Sequence, residues 1–393
     1  MEIPWPNDSE LNDNEFYNRI DDIELITNLI TSNPNSTPTL LLTGIRGVGK
    51  TTLMKNIKNK LSKDYLVIYI DISKSDAYQE KELNRFTFME LFYDSIIDSC
   101  KNKGLKTIDK TIRKIFKTNN IKMEGIINYE HIPIPILKTE KNYAKLSKFV
   151  MNLPTQLYEE YKNEIKGVII FFDEFQILKD LENIDSFLWY IRSNIQEQKH
   201  ATYILSGSMS IKDEFIEQIA GNNGAFGGRI LTLEIKAFSY ETTKRYMKEK
   251  APELNFTESG IKQFYTCTKG IPSYINTFAN ILPQNKKLDD DVIKKEFKQK
   301  ISILAIHYIN IWSRLTLQEQ KIITLLLKKP LIRKDIAQKL NVTSGSISKQ
   351  LLKLKDLMLI EQENKKYKIY DEILKLWLKK YYEENNVYPY RQI

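Results

Sequence analysis

At 393 residues, with 42% hydrophobic and 28% charged side chains, the chain is too long for one typical domain and has the make-up of a globular protein with two or three cores. A formal charge of +9 favours an anionic partner, while two cysteines (Cys100 and Cys267) and three scattered histidines argue against a disulfide framework, a CxxC pair or a zinc or iron site. The opening MEIPWPNDSE is no signal peptide and no apolar run reaches transmembrane length, so the expectation is a cytoplasmic protein without membrane contact.

Residues 1–14 read as a loose arm. NEFYNRIDDIELITNLITS then predicts a helix over 15–31, with Ile20, Ile23, Ile26 (or Leu25), Leu29 and Ile30 on one stripe and Asn14 as its cap. Arg19 is either a surface arginine or a residue at the lip of a site. Leu40-Leu41-Leu42 suits a strand buried on both faces, and the run stops at GIRGVGKTTL. Glycines at 44, 47 and 49 let the backbone turn with positive φ, so that the N–H groups of Gly44, Ile45, Arg46, Gly47, Val48 and Gly49 can face one anion. Lys50, Thr51 and Thr52 open a helix whose positive end adds to that field. The GxxxxGK[ST] pattern from Gly44 to Thr51, set between strand and helix, predicts a triphosphate cradle. Lys50 would follow the β and γ phosphates, and the Thr51 hydroxyl would reach Mg²⁺.

YLVIYIDIS (65–73) predicts a second parallel strand ending at Asp71, and residues 82–118 carry helical patterns. The 100–140 stretch is a basic insert whose lysines suit a solvated helix; Pro133 and Pro135 exclude a central strand there. In IKGVIIFFDEFQIL a buried strand ends at Asp173-Glu174, where open α/β sheets hold ligands. Asp173 is expected to hold Mg²⁺ and Glu174 to polarise an attacking water. ATYILSGSMS (201–210) predicts another buried strand; Ser206 and Ser208 either compete for a place beside the γ phosphate or cap the following helix. GNNGAFGGR leads into a fifth strand. Arg229 at its start either reaches a phosphate, in its own or a neighbouring subunit, or is a strand-edge arginine paired with an acid.

The predicted fold is α/β over residues 1–238, a parallel sheet covered by helices on both faces. Beyond it, helical segments punctuated by Pro252, Gly260 and Gly270-Ile271-Pro272 form a lid over 239–312. Residues 313–393 read as a winged helix-turn-helix of three helices and a two-stranded wing. Its third helix, TSGSISKQLLKLKDLML, carries Ser344, Ser346, Ser348, Lys349, Lys353 and Lys355, groups suited to duplex DNA, with a protein partner as the rival.

Taken together, GIRGVGKTTL, FFDEFQ, ILSGSM, FGGR, TKGIPSYI and YDEILKLWLKKYY resemble the archaeal ATPases of the STAND branch of AAA+-related P-loop proteins, across nearly the whole chain. The resemblance implies an ASCE-type core binding ATP and Mg²⁺, a lid whose Gly270-Ile271-Pro272 segment lies against adenine, and a C-terminal winged helix. Asp21-Asp22 stand where the family often has Arg-Glu, a departure from its N-terminal box. The expected activity is slow Mg²⁺-dependent ATP hydrolysis that sets a conformational switch. Alternatives are an ATP-liganded DNA-binding regulator, a protein-docking scaffold, or a self-associating motor with Arg229 acting in trans.

Overall fold

The computed structural model describes residues 3–4, 16–33, 38–106, 108–118, 126–129, 132–135, 140–208, 214–357 and 359–391. Two compact units emerge, one from residues 8–236 and one from residues 237–393 together with the first few residues of the chain. Among the described residues no helix is long and apolar enough to cross a membrane.

The first unit runs α1 (Ile20–Thr31), β1 (Thr39–Thr43), α2 (Lys50–Leu61), β2 (Leu66–Asp71), α3 (Asp76–Gln79), α4 (Arg85–Lys103), α5 (Ile108–Thr118), β3 (Ile126–Tyr129), β4 (Ile132–Pro135), α6 (Glu140–Tyr161), β5 (Val168–Asp173), α7 (Ile184–Gln196), β6 (Ala201–Ser206), α8 (Glu214–Ala220) and β7 (Ile230–Glu234). Five strands form one parallel sheet in the order β2-β5-β6-β1-β7. Since all five point the same way, Thr43, Asp71, Asp173 and Ser206 finish on one edge. The register sets Leu42 beside Ser206 and Asp71 beside Asp173. β6 therefore lies between the strand that feeds the glycine-rich loop and the strand that ends in the acidic pair.

Burial on both faces explains the continuous apolar runs: β1, β5 and β6 are buried at every position. On one face Phe88 and Phe92 of α4 pack on Phe172 of β5 with ring centres 5.5 and 5.1 Å apart, and Phe187 of α7 closes on Phe88 at 5.5 Å. Each such fully buried ring contributes about 1.5–3 kcal/mol, so this cluster fixes where α4 and α7 lie. α4 starts at an Asn84–Thr87 capping box and stops at Gly104 in the left-handed region. Among the described residues β3 and β4 pair only with each other, a two-stranded ribbon in which Pro133 and Pro135 interrupt no larger ladder.

The expected 15–31 helix is corrected in its first turn. It begins at Ile20; Asn18 has φ of +53° and Arg19 is not helical, while Asn14 lies outside the described residues. Its buried stripe is Ile23, Ile26 and Ile30, and Ile20, expected on that stripe, is exposed. What overrides the apolar pattern is Arg19, whose guanidinium is drawn inward to backbone carbonyls.

The second unit runs α9 (Tyr240–Lys250), α10 (Glu258–Thr268), α11 (Pro272–Ile281), α12 (Asp290–Leu304), α13 (Ile306–Arg314), α14 (Leu317–Leu326), β8 (Leu331–Ile332), α15 (Arg333–Lys339), α16 (Ser348–Asp356), β9 (Ile360–Glu363), β10 (Lys366–Ile369) and α17 (Glu372–Asn385). Gly260 does not separate helices, as its glycine identity suggests, but sits in the first turn of α10. A Cβ there would fall 1.9 Å from the Leu288 carbonyl oxygen. Between α10, α11 and α12, Phe264 stacks on Phe278 and Phe297 meets Phe278 edge-on, each pair with ring centres 5.2 Å apart. The terminal strands form a three-stranded antiparallel sheet, β8-β10-β9, one strand more than the expected two-stranded wing; β8 is too short to leave a periodic signal. This part is joined to the preceding helices by side chains: Tyr274 donates to Asp371 at 3.0 Å and meets Tyr308 at 3.0 Å, and Trp312 packs edge-on to Trp377 at 5.8 Å.

Candidate functional site

The loop after β1 owes its path to two glycines. Gly44 has φ of +141°, and a Cβ on it would sit 2.4 Å from the Ile235 carbonyl oxygen, so only glycine lets the chain pass β7 there. Gly49, with φ of +94°, is the left-handed residue from which α2 starts. Ile45, Arg46, Gly47 and Val48 lie between them. Helix α2 then begins with Lys50, Thr51 and Thr52, presenting its positive end at the C-terminal edge of the sheet.

Lys50 is buried, and its ammonium donates to the carbonyls of Gly44 at 2.7 Å and Ile45 at 3.2 Å. Burial pushes the ammonium down to about 8, against the pull of the nearby Glu174 and Asp173 carboxylates, and the Arg46 cation adds to the depression. The Thr51 hydroxyl donates to Asp173 Oδ2 at 2.7 Å. The sequence-predicted lysine, threonine and aspartate are thus brought together by β1, α2 and β5.

Glu174 follows at once and adopts φ of +56°, uncommon for a residue with a side chain and the kind of local strain that collects at sites of function. Its carboxylate accepts a hydrogen bond from Gln176, while Gln176 Oε1 is buried without a partner. Ser206 ends β6, fully buried, with its Oγ unpartnered among the described residues; Thr43 Oγ1, on the residue immediately before Gly44, is in the same condition. Ser208 lies beyond the strand and is half-buried.

These features fit a nucleotide triphosphate with a divalent ion. The loop passes so close to Ile235 that no Cβ fits at Gly44, one buried cation faces the loop, and two buried hydroxyls at the strand ends lack partners among the described residues. No group of three or more His, Cys, Asp or Glu among the described residues could hold a metal by itself. A Mg²⁺ ion would therefore be shared among Thr51, Asp173, water and phosphate oxygens, the usual arrangement for an ion that keeps most of its waters.

One predicted residue falls away from this edge. Arg229 precedes β7 at the N-terminal end of the sheet, since Ile230 pairs with Thr39 at the start of β1. That places it about 15 Å along the strands from the glycine-rich loop, at roughly 3.3 Å per residue. Its guanidinium donates to Gln196 at the end of α7 at 3.1 Å and is exposed, so it does not reach a phosphate held in its own subunit. Pro272 is the first residue of α11 in the second unit.

The expected nucleic-acid set is also redrawn. Ser344 and Ser346 stand in the turn before α16 rather than in the helix, because Thr343 and Ser346 bond each other's backbone and compete with helical pairing. Lys353 pairs at 2.9 Å with the buried carboxylate of Glu319 on α14, so it serves the packing of α14 on α16. Lys349 is exposed on α16.

Two contributors, Tyr69 and Gln176, carry no signal in the sequence, and a third, Arg19, takes the second of its two readings, beside the loop. Arg19 is buried and donates to Val48 O at 2.9 Å and Lys236 O at 2.7 Å, bracing the loop from behind. Tyr69 on β2 donates to Asp173 Oδ2 at 2.6 Å. Gln176 holds Glu174. Each acts across the sheet or across a turn, where one-dimensional spacing carries no signal.

A family model described as an ATPase domain predominantly from Archaea matches residues 16–278, well over half of the chain. Similar sequences include the uncharacterized ATP-binding protein MJ1659 of Methanocaldococcus jannaschii, 28% identical over 73% of this chain and 74% of that protein. A second protein of that organism, the uncharacterized ATP-binding protein MJ0801, is 25% identical over 66% of this chain and 70% of its own length. Among solved structures, the Walker-type ATPase PABY2304 of Pyrococcus abyssi superposes with a TM-score of 0.58 at 17% identity, covering 93% of this chain and 97% of that one, a likeness of fold. The loop, the acidic pair and these matches agree: the chain belongs to the family of ATPase domains found predominantly in Archaea.

Proposed function

We propose that the chain binds ATP with Mg²⁺ at the 44–52 loop, hydrolyses it slowly, and uses the bound nucleotide to set the state of its C-terminal unit. The observation that carries this reading is the convergence of Lys50, Thr51, Asp173 and Glu174 at one sheet edge. The relatives' description as ATP-binding proteins supports it.

In this reading the loop N–H groups and Lys50 hold the phosphates. Thr51 and Asp173 would hold Mg²⁺, which would supply neutralisation of phosphate charge. Glu174 accepts the proton of the attacking water, and Ser206 offers its unpaired hydroxyl to the γ phosphate. Slow turnover follows from the Gln176 contact, because the Glu174 carboxylate must leave that amide before it can orient water.

Coupling to the C-terminal unit is supported by α11. That helix opens with Pro272, in the segment that the family resemblance sets against adenine, and two residues later Tyr274 bonds Asp371, the N-cap of α17. A nucleotide touching the start of α11 would thereby bias the position of α17. The terminal module of α14, α15, α16 and the β8-β10-β9 sheet is read as a winged helix-turn-helix, and duplex DNA is the second reading for its partner, favoured by the exposure of Lys349 on α16.

The test is nucleotide binding and phosphate release by the full chain, compared with Lys50→Ala and Glu174→Gln. Binding should be lost in the first; it should persist in the second while release slows on the order of 10²-fold. Undiminished binding by Lys50→Ala, or equal turnover by Glu174→Gln, would overturn the assignment.

A further inference from the structure

We infer that Tyr69 is a positioning residue for the divalent ion of this site: its phenol fixes the Asp173 carboxylate so that the Thr51 hydroxyl oxygen is presented to the metal. The inference rests on the ATP reading above and deepens it.

Among the described residues Asp173 accepts from three donors. Oδ1 accepts the Glu174 N–H at 2.9 Å, and Oδ2 accepts both Thr51 Oγ1 at 2.7 Å and Tyr69 OH at 2.6 Å. The two hydroxyls approach one oxygen from different strands' elements, α2 and β2, and together they fix the rotation of the carboxylate. Sheet register makes this possible. Tyr69 lies opposite Phe171 and Asp71 opposite Asp173, so Tyr69 and Asp173 share a face on neighbouring strands two positions apart, a diagonal of about 8 Å that a tyrosine and an aspartate side chain together span. The ring is flanked by Phe171 at 6.3 Å and by the Lys58 ammonium at 5.9 Å, which hold it in place.

The phenol can serve Asp173 only as a donor, because a carboxylate oxygen only accepts. With Oδ2 held by Tyr69, the Thr51 proton is committed to Asp173. A committed proton leaves the Thr51 lone pairs facing outward, the orientation a hard cation requires. Without the phenol, the carboxylate is free to rotate about its terminal bond and to recruit water instead.

The test is metal-dependent nucleotide binding by the full chain, wild type against Tyr69→Phe, which keeps the ring and its packing. Fluorescent ADP and ATP are titrated with Mg²⁺ varied and again with EDTA present, and Mn²⁺ binding in the presence of ADP is followed by electron paramagnetic resonance. The expected result is a rise of about tenfold in the Mg²⁺ and Mn²⁺ concentrations for half-maximal binding, in line with loss of one hydrogen bond to a charged group, with metal-free nucleotide affinity and the melting midpoint unchanged. Identical metal dependence in the two proteins overturns the inference, as does an equal loss of affinity with and without metal, which would mark Tyr69 as general packing. A wild-type chain that binds no nucleotide in either condition is a different result: it overturns the ATP reading itself.

Discussion

Arg19 donates to the carbonyl oxygen of Val48 at 2.9 Å across 29 residues of sequence, and the same nitrogen reaches the Lys236 carbonyl at 2.7 Å. One buried guanidinium therefore clamps the glycine-rich loop to the segment that leaves β7. Burial lowers its proton affinity, and Asp22 at 3.2 Å opposes that loss. Arg19→Met should leave two buried carbonyls unpaired, at a cost on the order of 1–3 kcal/mol. It should also weaken ATP binding by about tenfold through a looser loop. Thermal melting and a nucleotide titration check the two halves separately. Unchanged affinity in a destabilised protein would show that the clamp serves the fold alone.

Lys50 gives a pH dependence with a definite sign. Its ammonium titrates at about 8 in the ligand-free protein, below the ordinary lysine value, because burial disfavours the charge. In the unfolded chain it stays protonated to higher pH, so between about 8 and 10 the unfolded state binds more protons and this group's contribution to stability rises with pH. For ligand binding the sign reverses. Phosphates favour the charged lysine, so ATP affinity should fall about tenfold per pH unit above 8, with proton uptake on binding. Calorimetry at pH 8.5 in two buffers of different ionisation enthalpy measures that uptake. No net proton transfer there would place the phosphates away from Lys50.

Two lysines on α16 should separate by phenotype. Lys353 neutralises Glu319, a buried carboxylate that also accepts the Thr316 N–H of its own capping box. Lys353→Met strands that charge and should cost on the order of 1–3 kcal/mol, visible as a lowered melting point. Lys349 is exposed, so Lys349→Ala should melt as wild type. If the terminal module covers duplex DNA, Lys349→Ala should reduce the slope of log K against log salt by about one. Absence of any salt-dependent duplex binding by the wild-type chain would leave a protein as the partner.

The legible part of this protein is the part written in continuous runs. Strands buried on both faces announce themselves as VIIFF and LLL, and glycine density plus Lys50 marks the loop, because those demands act on neighbouring residues. Register is not written that way. Tyr69 meets Asp173 only because β2 pairs with β5, and Arg19 turns inward only because Val48 and Lys236 offer carbonyls there. The same blindness misplaced Arg229. Its position before a strand is plain in the sequence, but which end of the sheet that strand start occupies depends on its parallel pairing with β1.

That pairing yields a last prediction. Arg229 stands at the N-terminal edge of the sheet, hydrogen-bonded to Gln196 and exposed, while the loop that would hold phosphates stands at the other edge. An interaction at about 15 Å through solvent is largely screened at physiological salt. Arg229→Ala should therefore leave nucleotide affinity and turnover within about twofold of wild type wherever sedimentation shows a monomer. A neighbour's site is the one place the guanidinium could act, so a role in trans would appear as a loss confined to protein concentrations at which ATP assembles the subunits. A loss of turnover already present in the dilute monomer would contradict the parallel pairing of β7 with β1, since only the reversed strand would bring residue 229 to its own loop.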